Sequence, residues 1–325
     1  MAKIIGIGNA LVDVIVNVPD DSILSSFAFP KGGMTMIEVE TKRNLHEAIS
    51  EMKQVQVTGG STSNTMHGIA HLGGEVGFVG KVGMDKMGRF FEEDMGRSGI
   101  QPHLIHAEGL DTGVATTLMS GDAERTFATY LGAASTMTAQ ELDAEVFKGY
   151  DYVHVEGYLI FNHDLILHVC QMAKQAGLTI SMDMASFNLV EEHRDFVAML
   201  LKDYVDIIFA NEDEARAFAC KEGEEALDVL SQYCRVAVVK MGGRGSVAQI
   251  DGQRLWTGTN GCKPVDTNGA GDAYAAGFLY GLMNQLPAEK IMRLAASVGD
   301  EAVATVGAKL SENQWNKIKK EHLLS

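Results

Sequence analysis

The sequence predicts an α/β fold, with a central, mostly parallel sheet flanked by helices and a small β-sheet lid. Short apolar runs typical of strands alternate with helical segments through most of the 325 residues, and this order is typical of a parallel sheet covered on both faces. Two separated stretches are instead rich in strands and contain no long helix. An apolar share of 46% fills a substantial core. With only five prolines and no low-complexity tract, no flexible linker is expected.

The central sheet is predicted from seven short apolar runs and from the helices between them. Strands are predicted at Ile4–Gly8, Val55–Thr58, Val76–Val79, Tyr152–Val155, Thr179–Met182, Ile207–Ala210 and Val236–Lys240. Helices are predicted at Lys42–Met52, Thr65–Leu72, Lys86–Ser98, Leu165–Ala176, Glu191–Leu201, Asp213–Ala219 and Glu224–Tyr233. The C-terminal part is helical from Ala270 to about Gly307 and from Ser311 to His322. Successive strands joined by helices are expected to pair in parallel.

The lid is predicted from the two strand-rich stretches, residues 12–39 and 103–130. Their strands are expected at Val12–Val18, Met34–Val39, His103–Ala107, Thr112–Met119 and Arg125–Tyr130. Strands in such clusters usually pair antiparallel. We therefore expect a discontinuous lid over the end of the main sheet where α/β proteins bind ligands. Residues 1–11, 40–102 and 131–325 would form the large domain.

Charge and cysteine usage narrow the class of ligand and the compartment. Lys and Arg number 27 against 43 Asp and Glu, a formal net charge of −16. This balance repels nucleic acid and anionic membranes, so a small-molecule ligand is expected. The four cysteines are scattered, as is typical of reduced thiols in the cytoplasm. Neither a signal-peptide pattern nor a membrane-spanning run occurs in the sequence, so we expect a cytoplasmic protein with no membrane partner.

The most informative segment is Asp266-Thr267-Asn268-Gly269-Ala270-Gly271-Asp272, which leads directly into an apolar helical run. Its small residues allow backbone N–H groups to face a ligand, and the first helical turn adds unpaired donors and a positive dipole end. This combination suits phosphate oxygens. Asp272 lies in that first turn, where it can accept a proton from a hydroxyl that attacks phosphorus. The same residues also suit a plain helix start, with glycine forming the turn and aspartate capping the end.

Two segments nearer the N-terminus carry groups that suit hydroxyls. Asp13 lies where the first core strand passes into the lid, and its carboxylate can accept bonds from two adjacent hydroxyls, although a simple turn aspartate is an alternative. The run Gly59-Gly60-Ser61-Thr62-Ser63-Asn64 follows a strand and opens a helix, so its backbone can approach a ligand closely. Asn64 both donates and accepts hydrogen bonds. The serines and threonine of this run also suit helix capping.

Two later segments follow core strands and suit a nucleotide. The run Asn211-Glu212-Asp213-Glu214 places amide and acidic groups on a first helical turn, which can hold a hydrated divalent metal and a phosphate, or can simply cap the helix. The run Lys240-Met241-Gly242-Gly243-Arg244-Gly245 is a glycine turn with cations, which suits phosphates or a ribose. His67 and His71 have helical i,i+4 spacing but lack the glutamate and third ligand of a zinc site.

In their order and spacing, these segments resemble the PfkB (ribokinase-like) carbohydrate kinase family. The resemblance covers essentially the whole chain, and the motif at residues 266–272 is highly specific. It implies a ribokinase-like fold in which the large domain binds the nucleotide and the small sheet acts as a lid. It also implies an ATP-dependent kinase that transfers the γ-phosphoryl group to a hydroxyl of a sugar or nucleoside, a reaction dominated by positioning and charge stabilisation.

The resemblance also assigns roles to individual residues. Asp272 matches the catalytic base, and the backbone of Ala270, Gly271 and Asp272 matches the anion hole for the transferred phosphoryl group. Gly269 belongs to the same catalytic loop. The positions that match substrate-binding residues are Asp13, Gly59, Gly60 and Asn64. The positions that match nucleotide-binding residues are Asn211, Glu214, Lys240, Gly242, Gly245 and Asn268, with Ala302–Gly307 bordering adenine. Glu214 would organise Mg²⁺ largely through water, and Asp266 matches a position that helps hold a monovalent cation such as K⁺ in many members.

The acceptor is predicted from how the motifs vary within the family. Many sugar kinases of the ribokinase branch have GGKGAN or a similar run where this chain has residues 59–64, so the missing lysine favours the adenosine-kinase-like branch. Residues 31–34 and 125–134 also resemble that branch. Adenosine is therefore ranked above other nucleosides and above ribose or fructose. A non-catalytic nucleotide-binding sensor is disfavoured because Asp272 is present with its whole loop.

Two further expectations concern contacts of the lid. Aromatic side chains could stack on a nucleoside base, and the candidates are Phe127, Tyr130, Tyr158 and Phe161. Lid strands sometimes pair between subunits in this family, and exposed strand edges make such pairing physically feasible. A homodimer through the lid strands is therefore a further prediction.

Overall fold

A computed structural model describes residues 2–122, 124–262, 264–305 and 307–323. The strands run in chain order as β1 (Lys3–Ile7), β2 (Leu11–Asn17), β3 (Met34–Met36), β4 (Gln54–Gly59), β5 (Glu75–Gly83), β6 (Ile100–Ala107), β7 (Gly113–Met119), β8 (Arg125–Tyr130), β9 (Tyr152–Val155), β10 (Thr179–Asp183), β11 (Ile207–Asn211), β12 (Val236–Lys240), β13 (Ser246–Ile250) and β14 (Gln253–Thr257).

The α-helices are α1 (Ser22–Ser26), α2 (Val39–Ala48), α3 (Ser61–Leu72), α4 (Lys86–Arg97), α5 (His163–Gln175), α6 (Phe187–Glu192), α7 (Arg194–Asp203), α8 (Glu212–Ala219), α9 (Gly223–Leu230), α10 (Ala270–Met283), α11 (Ala288–Val303) and α12 (Glu312–His322). Short 3-10 helices lie at Gly132–Thr136, Ala139–Glu141, Ala144–Phe147, Gly157–Phe161 and Gly242–Arg244. Within the described ranges, no helix is long and apolar enough to cross a membrane.

The large sheet has nine strands in the order β14-β13-β12-β11-β10-β9-β1-β5-β6 within the described part of the chain. Every pair from β12 to β6 is parallel, and β13 and β14 form an antiparallel hairpin at one edge that the sequence pattern did not predict. Alternate residues of the central strands face two separate apolar cores. In β11, for example, Phe209 packs into one core and Ile208 into the other, as expected for a sheet buried on both faces.

The small sheet has the order β3-β8-β7-β2-β4 and mixes two kinds of pairing. The pair β7–β8 is antiparallel, as predicted, and β2–β4 is antiparallel as well, although β4 was not expected in this sheet; β2–β7 and β3–β8 are parallel. The expectation of antiparallel pairing was therefore wrong for two of the four pairs that the structure describes. The reason is that both parallel pairs join strands from the two separated stretches, which no hairpin turn forces to run in opposite directions.

Two strands lie in a different sheet from the one predicted. The strand at His103–Ala107, expected in the lid, is the second half of β6, which pairs in parallel with β5 from Val76 opposite Ile100 onward. The strand at Val55–Thr58, expected in the central sheet, is part of β4 and pairs antiparallel with β2. In both cases the local apolar pattern identified a strand, but tertiary pairing decided its sheet.

The two sheets meet where the chain passes from one to the other. Strand β1 ends at Ile7 and β2 begins at Leu11, so three residues connect the large sheet to the small one. Strand β4 returns from the small sheet and leads through Gly60 into α3, which packs on the large sheet. A cleft therefore opens between the small sheet and the carboxyl ends of the parallel strands, where α/β proteins bind ligands.

Candidate active site

A cleft of about 1260 Å³ lies between the two sheets, and ten of the predicted site residues line it. These are Asp13, Gly60, Asn64, Asn211, Glu214, Lys240, Asn268, Gly269, Gly271 and Asp272. They are separated by up to 259 positions in the chain. The fold therefore brings together the start of α3, the ends of β11 and β12, and the start of α10.

Asp272 is held by two side chains from the start of α3. Ser61 Oγ donates to Asp272 Oδ1 over 2.7 Å, and Asn64 Nδ2 donates to Asp272 Oδ2 over 3.1 Å. Burial raises the pKa of Asp272 to about 6, and these two hydrogen bonds oppose the rise. A carboxylate with a pKa slightly below neutrality is ionised at pH 7 and still basic enough to accept a proton, as general-base catalysis requires.

The start of α10 provides donors for an anion beside this carboxylate. Gly269 precedes the helix with φ of 73°, and a Cβ there would lie 2.6 Å from Cβ of Ala308, so both conformation and space favour glycine. The N–H groups of Gly271 and Asp272 have no hydrogen-bond partner among the described residues. The N–H of Ala270, predicted to share in the anion hole, instead donates to the Thr267 carbonyl over 3.3 Å.

Lys240 brings a positive charge to the same helix start. A Cβ on Gly271 would lie 3.0 Å from Lys240 Nζ, so the ammonium is next to the first turn of α10. Lys240 Nζ also donates to Asp183 Oδ2 over 3.0 Å. Burial alone would lower the pKa of Lys240, but the carboxylates of Asp183 and Glu214 outweigh that effect and raise it to about 12. The ammonium therefore stays charged at neutral pH.

Asn211 and Glu214 form a reciprocal cap at the start of α8. The Asn211 N–H donates to Glu214 Oε2 over 2.7 Å, its side-chain amide donates to Oε1 over 2.6 Å, and the Glu214 N–H donates to Asn211 Oδ1 over 2.9 Å. Burial raises the pKa of Glu214 to about 7. The capping interpretation of this segment is thus realised, while both residues still line the cleft.

Asp13 lies in β2 of the small sheet, next to β4, which ends at Gly59 and leads into Gly60. Asp13 and Gly60 line the cleft, whereas Gly59 does not. A Cβ on Gly59 would clash with the Asp13 carboxylate, and a Cβ on Gly60 would clash with the carbonyl oxygen of Asn9. Gly60 also has φ of 91°, which favours glycine. Burial raises the pKa of Asp13 to about 7, Lys309 opposes the rise and Asp272 adds to it.

Two acidic residues of the cleft were missed from the sequence. Glu156 follows β9 and is 3% exposed; its Oε1 accepts from Asn9 Nδ2 over 2.5 Å, and its Oε2 accepts from the Thr62 N–H at the start of α3 over 3.3 Å. Burial raises its pKa to about 7. Asp183 ends β10 and binds Lys240. Both lie at the carboxyl ends of parallel strands, the same signal that identified Asn211, so this rule could have found them.

Asp266 is surrounded by donors from three parts of the chain. Arg125 of β8 binds Asp266 Oδ2, which also accepts from the Gly307 N–H over 2.6 Å. Oδ1 accepts from the Asn268 N–H over 3.0 Å. Asp266 therefore ties the small sheet to the loop before α10. The assignment of a monovalent cation to Asp266 stays a prediction.

The remaining nucleotide-binding predictions fall outside the cleft. Gly242 and Gly245 have φ of 54° and 92° and form the turn between β12 and β13, where the Met241 N–H donates to the Gly245 carbonyl over 2.7 Å. Neither lines the cleft. Of the segment Ala302–Gly307, expected beside adenine, Ala302 is buried in the core and Val306 lies outside the described residues.

Apolar side chains form one part of the cleft lining, the apolar wall, whereas the polar groups of Asp13, Asn64 and Asp272 form another part, the floor. The side chains of the wall come from β3, β8 and the 3-10 helix after β9, and include Met34, Met36, Phe127, Tyr158 and Phe161. Three of the four aromatic residues expected to stack on a base thus line the cleft. The fourth, Tyr130, lies three positions after Phe127 in β8, and side chains an odd number of positions apart in a strand point to opposite faces of the sheet. Tyr130 therefore faces away from the cleft and packs under Lys42, whose Nζ is 5.5 Å from the ring centroid.

A partly buried carboxylate beside a helix start with unpaired donors and a lysine suits phosphoryl transfer to a hydroxyl. On a two-sheet α/β scaffold, this arrangement defines the class of ribokinase-like phosphotransferases that use an alcohol group as acceptor. The family model described as pfkB family carbohydrate kinase matches residues 30–315. The chain belongs to this family, and it is an ATP-dependent kinase.

Individual relatives include both nucleoside and sugar kinases. Adenosine kinase 2 of Arabidopsis thaliana is 26% identical over 333 residues, which cover 95% of this chain and 96% of that protein. The crystal structure of adenosine kinase from Sinorhizobium meliloti is 30% identical, with a TM-score of 0.86 and coverage of 98% of this chain and 99% of that one. A probable sugar kinase from Rhizobium etli CFN 42 has 28% identity, 98% coverage of both chains and a TM-score of 0.86. The fold class and kinase activity predicted from the sequence are confirmed.

Proposed function

We propose that this chain is a nucleoside kinase that transfers the γ-phosphoryl group of ATP to a hydroxyl of adenosine or a closely related nucleoside. The observation that carries the proposal is the contrast between these two parts of the cleft lining. The floor presents the polar groups of Asp13, Asn64 and Asp272, whereas the wall presents exposed apolar side chains, with Met34 58%, Met36 53% and Phe161 66% accessible.

A nucleoside matches this contrast better than a free sugar does. Its ribose carries hydroxyls for the carboxylate and amide groups of the floor, and its base has a flat face that can cover the apolar wall. Free sugars carry hydroxyls around the whole ring and would leave some of them against methionine and phenylalanine side chains, where they lose hydrogen bonds to water. The similarity to two adenosine kinases supports the same choice.

The proposed mechanism assigns a separate task to each part of the cleft. Asp13, Gly60 and Asn64 orient the acceptor so that its reactive hydroxyl lies beside Asp272, which accepts the hydroxyl proton. The N–H groups of Gly271 and Asp272, together with Lys240, stabilise the charge of the transferred group in line with the attacking oxygen. Closure of the small sheet over both substrates would exclude water and protect ATP from hydrolysis.

Mg²⁺ is proposed as the cofactor, held mainly through water and the phosphates. Among the described residues, no group of three or more His, Cys, Asp or Glu side chains could hold a metal directly. Glu214 and Asp183 fit outer positions, since both carboxylates face Lys240. When bound, Mg²⁺ would neutralise charge on the phosphate oxygens. A K⁺ requirement through Asp266, a homodimer through the small sheet and a cytoplasmic location remain predictions, as does the division into a nucleotide-binding domain and a lid.

The deciding experiment measures ADP release and the phosphorylated product with a panel of acceptors, in the presence of Mg²⁺ and K⁺. The panel contains adenosine, inosine, guanosine, cytidine, ribose, fructose and fructose phosphates. Adenosine is expected to give the highest kcat/KM.

In addition, Phe161→Ala should raise the KM for adenosine by up to about tenfold through lost stacking. Phe187→Ala is the matched control, because Phe187 is 44% exposed but does not line the cleft.

A sugar kinase is the second candidate, and one feature of the cleft favours it. Asn9 and Glu156 line the cleft as a buried polar pair and provide further groups for sugar hydroxyls. Higher kcat/KM for ribose or fructose than for adenosine would select this candidate. Stabilisation by ATP without turnover of any acceptor would instead indicate a nucleotide-binding sensor.

A further inference from the structure

A second, much smaller cavity lies beside the catalytic cleft and shares Asn64 with it. Its volume is about 30 Å³, which is enough for one or two water molecules. Its polar lining consists of Asn64, His67 and His71 of α3, Lys309 from the segment before α12, and Trp315 of α12. The rings of His71 and Trp315 stack with their centroids 5.3 Å apart.

Three polar atoms from residues around this cavity are buried without a hydrogen-bond partner among the described residues. They are Asn64 Oδ1, Lys309 Nζ and Trp315 Nε1. The first accepts hydrogen bonds, and the other two donate them. Leaving such buried atoms unpaired costs free energy of desolvation. A water molecule can accept a bond from Lys309 and donate one to Asn64, so the chemistry of the lining fits an ordered water.

Asn64 connects this cavity to the catalytic base. Its Nδ2 donates to Asp272 Oδ2 over 3.1 Å, while its Oδ1 is the unpaired acceptor. If the amide turned over, Oδ1 would face the carboxylate of Asp272 and the hydrogen bond would be lost. A donor on the cavity side therefore fixes the amide in the orientation that suits Asp272.

Lys309 is placed to act on both carboxylates of the floor. A Cβ on Gly307 would lie 3.7 Å from Ile15 Cδ1 in β2, and Ala308 packs against Gly269 before α10. The segment that carries Lys309 thus runs between the small sheet and the phosphate-binding turn. Burial lowers the pKa of Lys309 to about 7, opposed by Asp94, Asp13 and Asp272, and Lys309 in turn opposes the rise in the pKa of Asp13.

We infer that Lys309 is a positioning residue for phosphoryl transfer: through a water in the small cavity, it fixes the amide of Asn64 with Nδ2 toward Asp272. This inference rests on the proposed role of Asp272 as the base. Lys309 itself touches neither substrate nor the reacting atoms in this scheme. Its effect reaches the reaction through the orientation and pKa of the groups that do.

The pH dependence of the Lys309–Asn64–Asp272 arrangement involves charged groups from several elements. The groups that face Lys309 or Asp272 include Asp13 on β2, His67 and His71 on α3, Asp94 on α4, Glu156 after β9, Asp183 on β10, Lys240 on β12 and Glu312, which lies 3.5 Å from His71, on α12. All of them remain when Lys309 alone is replaced. A change in the pH profile between wild type and a Lys309 variant therefore reports the loss of Lys309.

The test compares the pH dependence of kcat for wild type, Lys309→Met and Lys309→Arg, with the best acceptor from the panel. Loss of the donor that orients Asn64 should shift the midpoint of the acid limb upward by about one pH unit. Through this shift kcat should fall about tenfold at pH 5 but only about twofold at pH 7, and recover towards pH 9, with the KM for ATP unchanged. Lys309→Arg keeps a donor and should restore most of the profile. Lys174→Met, at an exposed position of α5, is the matched control.

An unchanged midpoint in Lys309→Met, accompanied only by a lower Tm, would overturn the inference and leave Lys309 a structural role.

A crystal structure of the wild type at high resolution tests the same point without a variant and without turnover. Water within hydrogen-bond distance of both Lys309 Nζ and Asn64 Oδ1 is expected; a dry cavity would overturn the inference. Failure of the proposed function would appear separately, as wild-type protein that phosphorylates no acceptor.

Discussion

At the scale of single residues, the pKa of Asp272 is the property on which the proposed chemistry depends. Burial raises it to about 6, and the hydrogen bonds from Ser61 and Asn64 keep it from rising further. A base must be ionised to accept a proton, so activity should be lost as the pH falls through the pKa. We therefore expect the kcat of the wild type to decline below about pH 6.

Asp272→Asn should lower kcat by about 10²–10⁴-fold, because an amide cannot take the hydroxyl proton. ATP affinity should be nearly unchanged, since the backbone N–H groups and Lys240 remain. Steady-state turnover and equilibrium ATP binding measure the two effects separately. Asp195→Asn, at an exposed position of α7, is the control. Turnover near that of the wild type in Asp272→Asn would refute the assignment of Asp272 as the base.

The residues that sequence reasoning found and missed differ in how local their signals are. Asp272 was found because glycines, a helix start and a carboxylate are contiguous in the chain. Lys309 was missed because nothing next to it in the sequence indicates burial; its environment comes largely from Asn64 and His67 of α3, which are distant along the chain. Glu156 lies between these cases, since its place after a core strand is a usable signal but a weak one.

At the scale of secondary-structure elements, strand positions were more predictable than strand partners. Apolar runs identified β4 and the second half of β6, but each was assigned to the other sheet. A strand with both faces covered in the large sheet and a strand with one face covered in the small sheet can carry similar short apolar runs. Because pairing depends on contacts between distant parts of the chain, a single sequence could not decide it.

The Arg125–Asp266 ion pair joins β8 of the small sheet to the loop before α10, and both side chains are largely buried, at 13% and 5% exposed. Arg125→Met leaves the Asp266 carboxylate without its counter-ion, so we expect a loss of about 3–5 kcal/mol in the free energy of unfolding. Urea denaturation measures this loss in the free energy of unfolding. The matched control is Arg254→Met, which breaks pairs with Asp228 and Glu224.

Arg254 is 40% exposed, and exposed ion pairs contribute at most about 1 kcal/mol each. The control should therefore shift the urea midpoint only slightly. Equal losses in Arg125→Met and Arg254→Met would mean that the pair with Asp266 does not anchor the small sheet. A double variant with Asp266→Asn should be less destabilised than the sum of the single changes, because the two residues share one interaction.

At the scale of the whole molecule, a net charge of −16 is combined with a cleft that must hold a triphosphate. The cleft itself is lined by the carboxyl groups of Asp13, Glu156, Asp183, Glu214 and Asp272. The ammonium of Lys240 and the positive dipole end of α10 oppose this negative charge. The arrangement agrees with the proposed role of Mg²⁺ beside ATP. That nucleic acid is not a partner stays a prediction from the net charge.

The small sheet should respond to the acceptor rather than to ATP. Strand β3 has three residues, lies at the sheet edge and exposes Met34 and Met36, so its backbone amides should open at a low free-energy cost. An acceptor that covers these side chains should stabilise β3, whereas ATP bound near Lys240 and α10 should not. Hydrogen–deuterium exchange is therefore expected to slow at Met34–Met36 with adenosine alone. Exchange in α9 serves as the control.

Helix α9 packs against β12 and β13 of the large sheet and contributes no residue to the cleft lining, so its exchange should be the same with and without adenosine. Protection of β3 by ATP alone, with no effect of adenosine, would contradict the assignment of the apolar wall to the acceptor. Exchange at β3 distinguishes the two ligands because only a ligand that contacts the apolar wall can supply the binding free energy that stabilises the small sheet in its closed position.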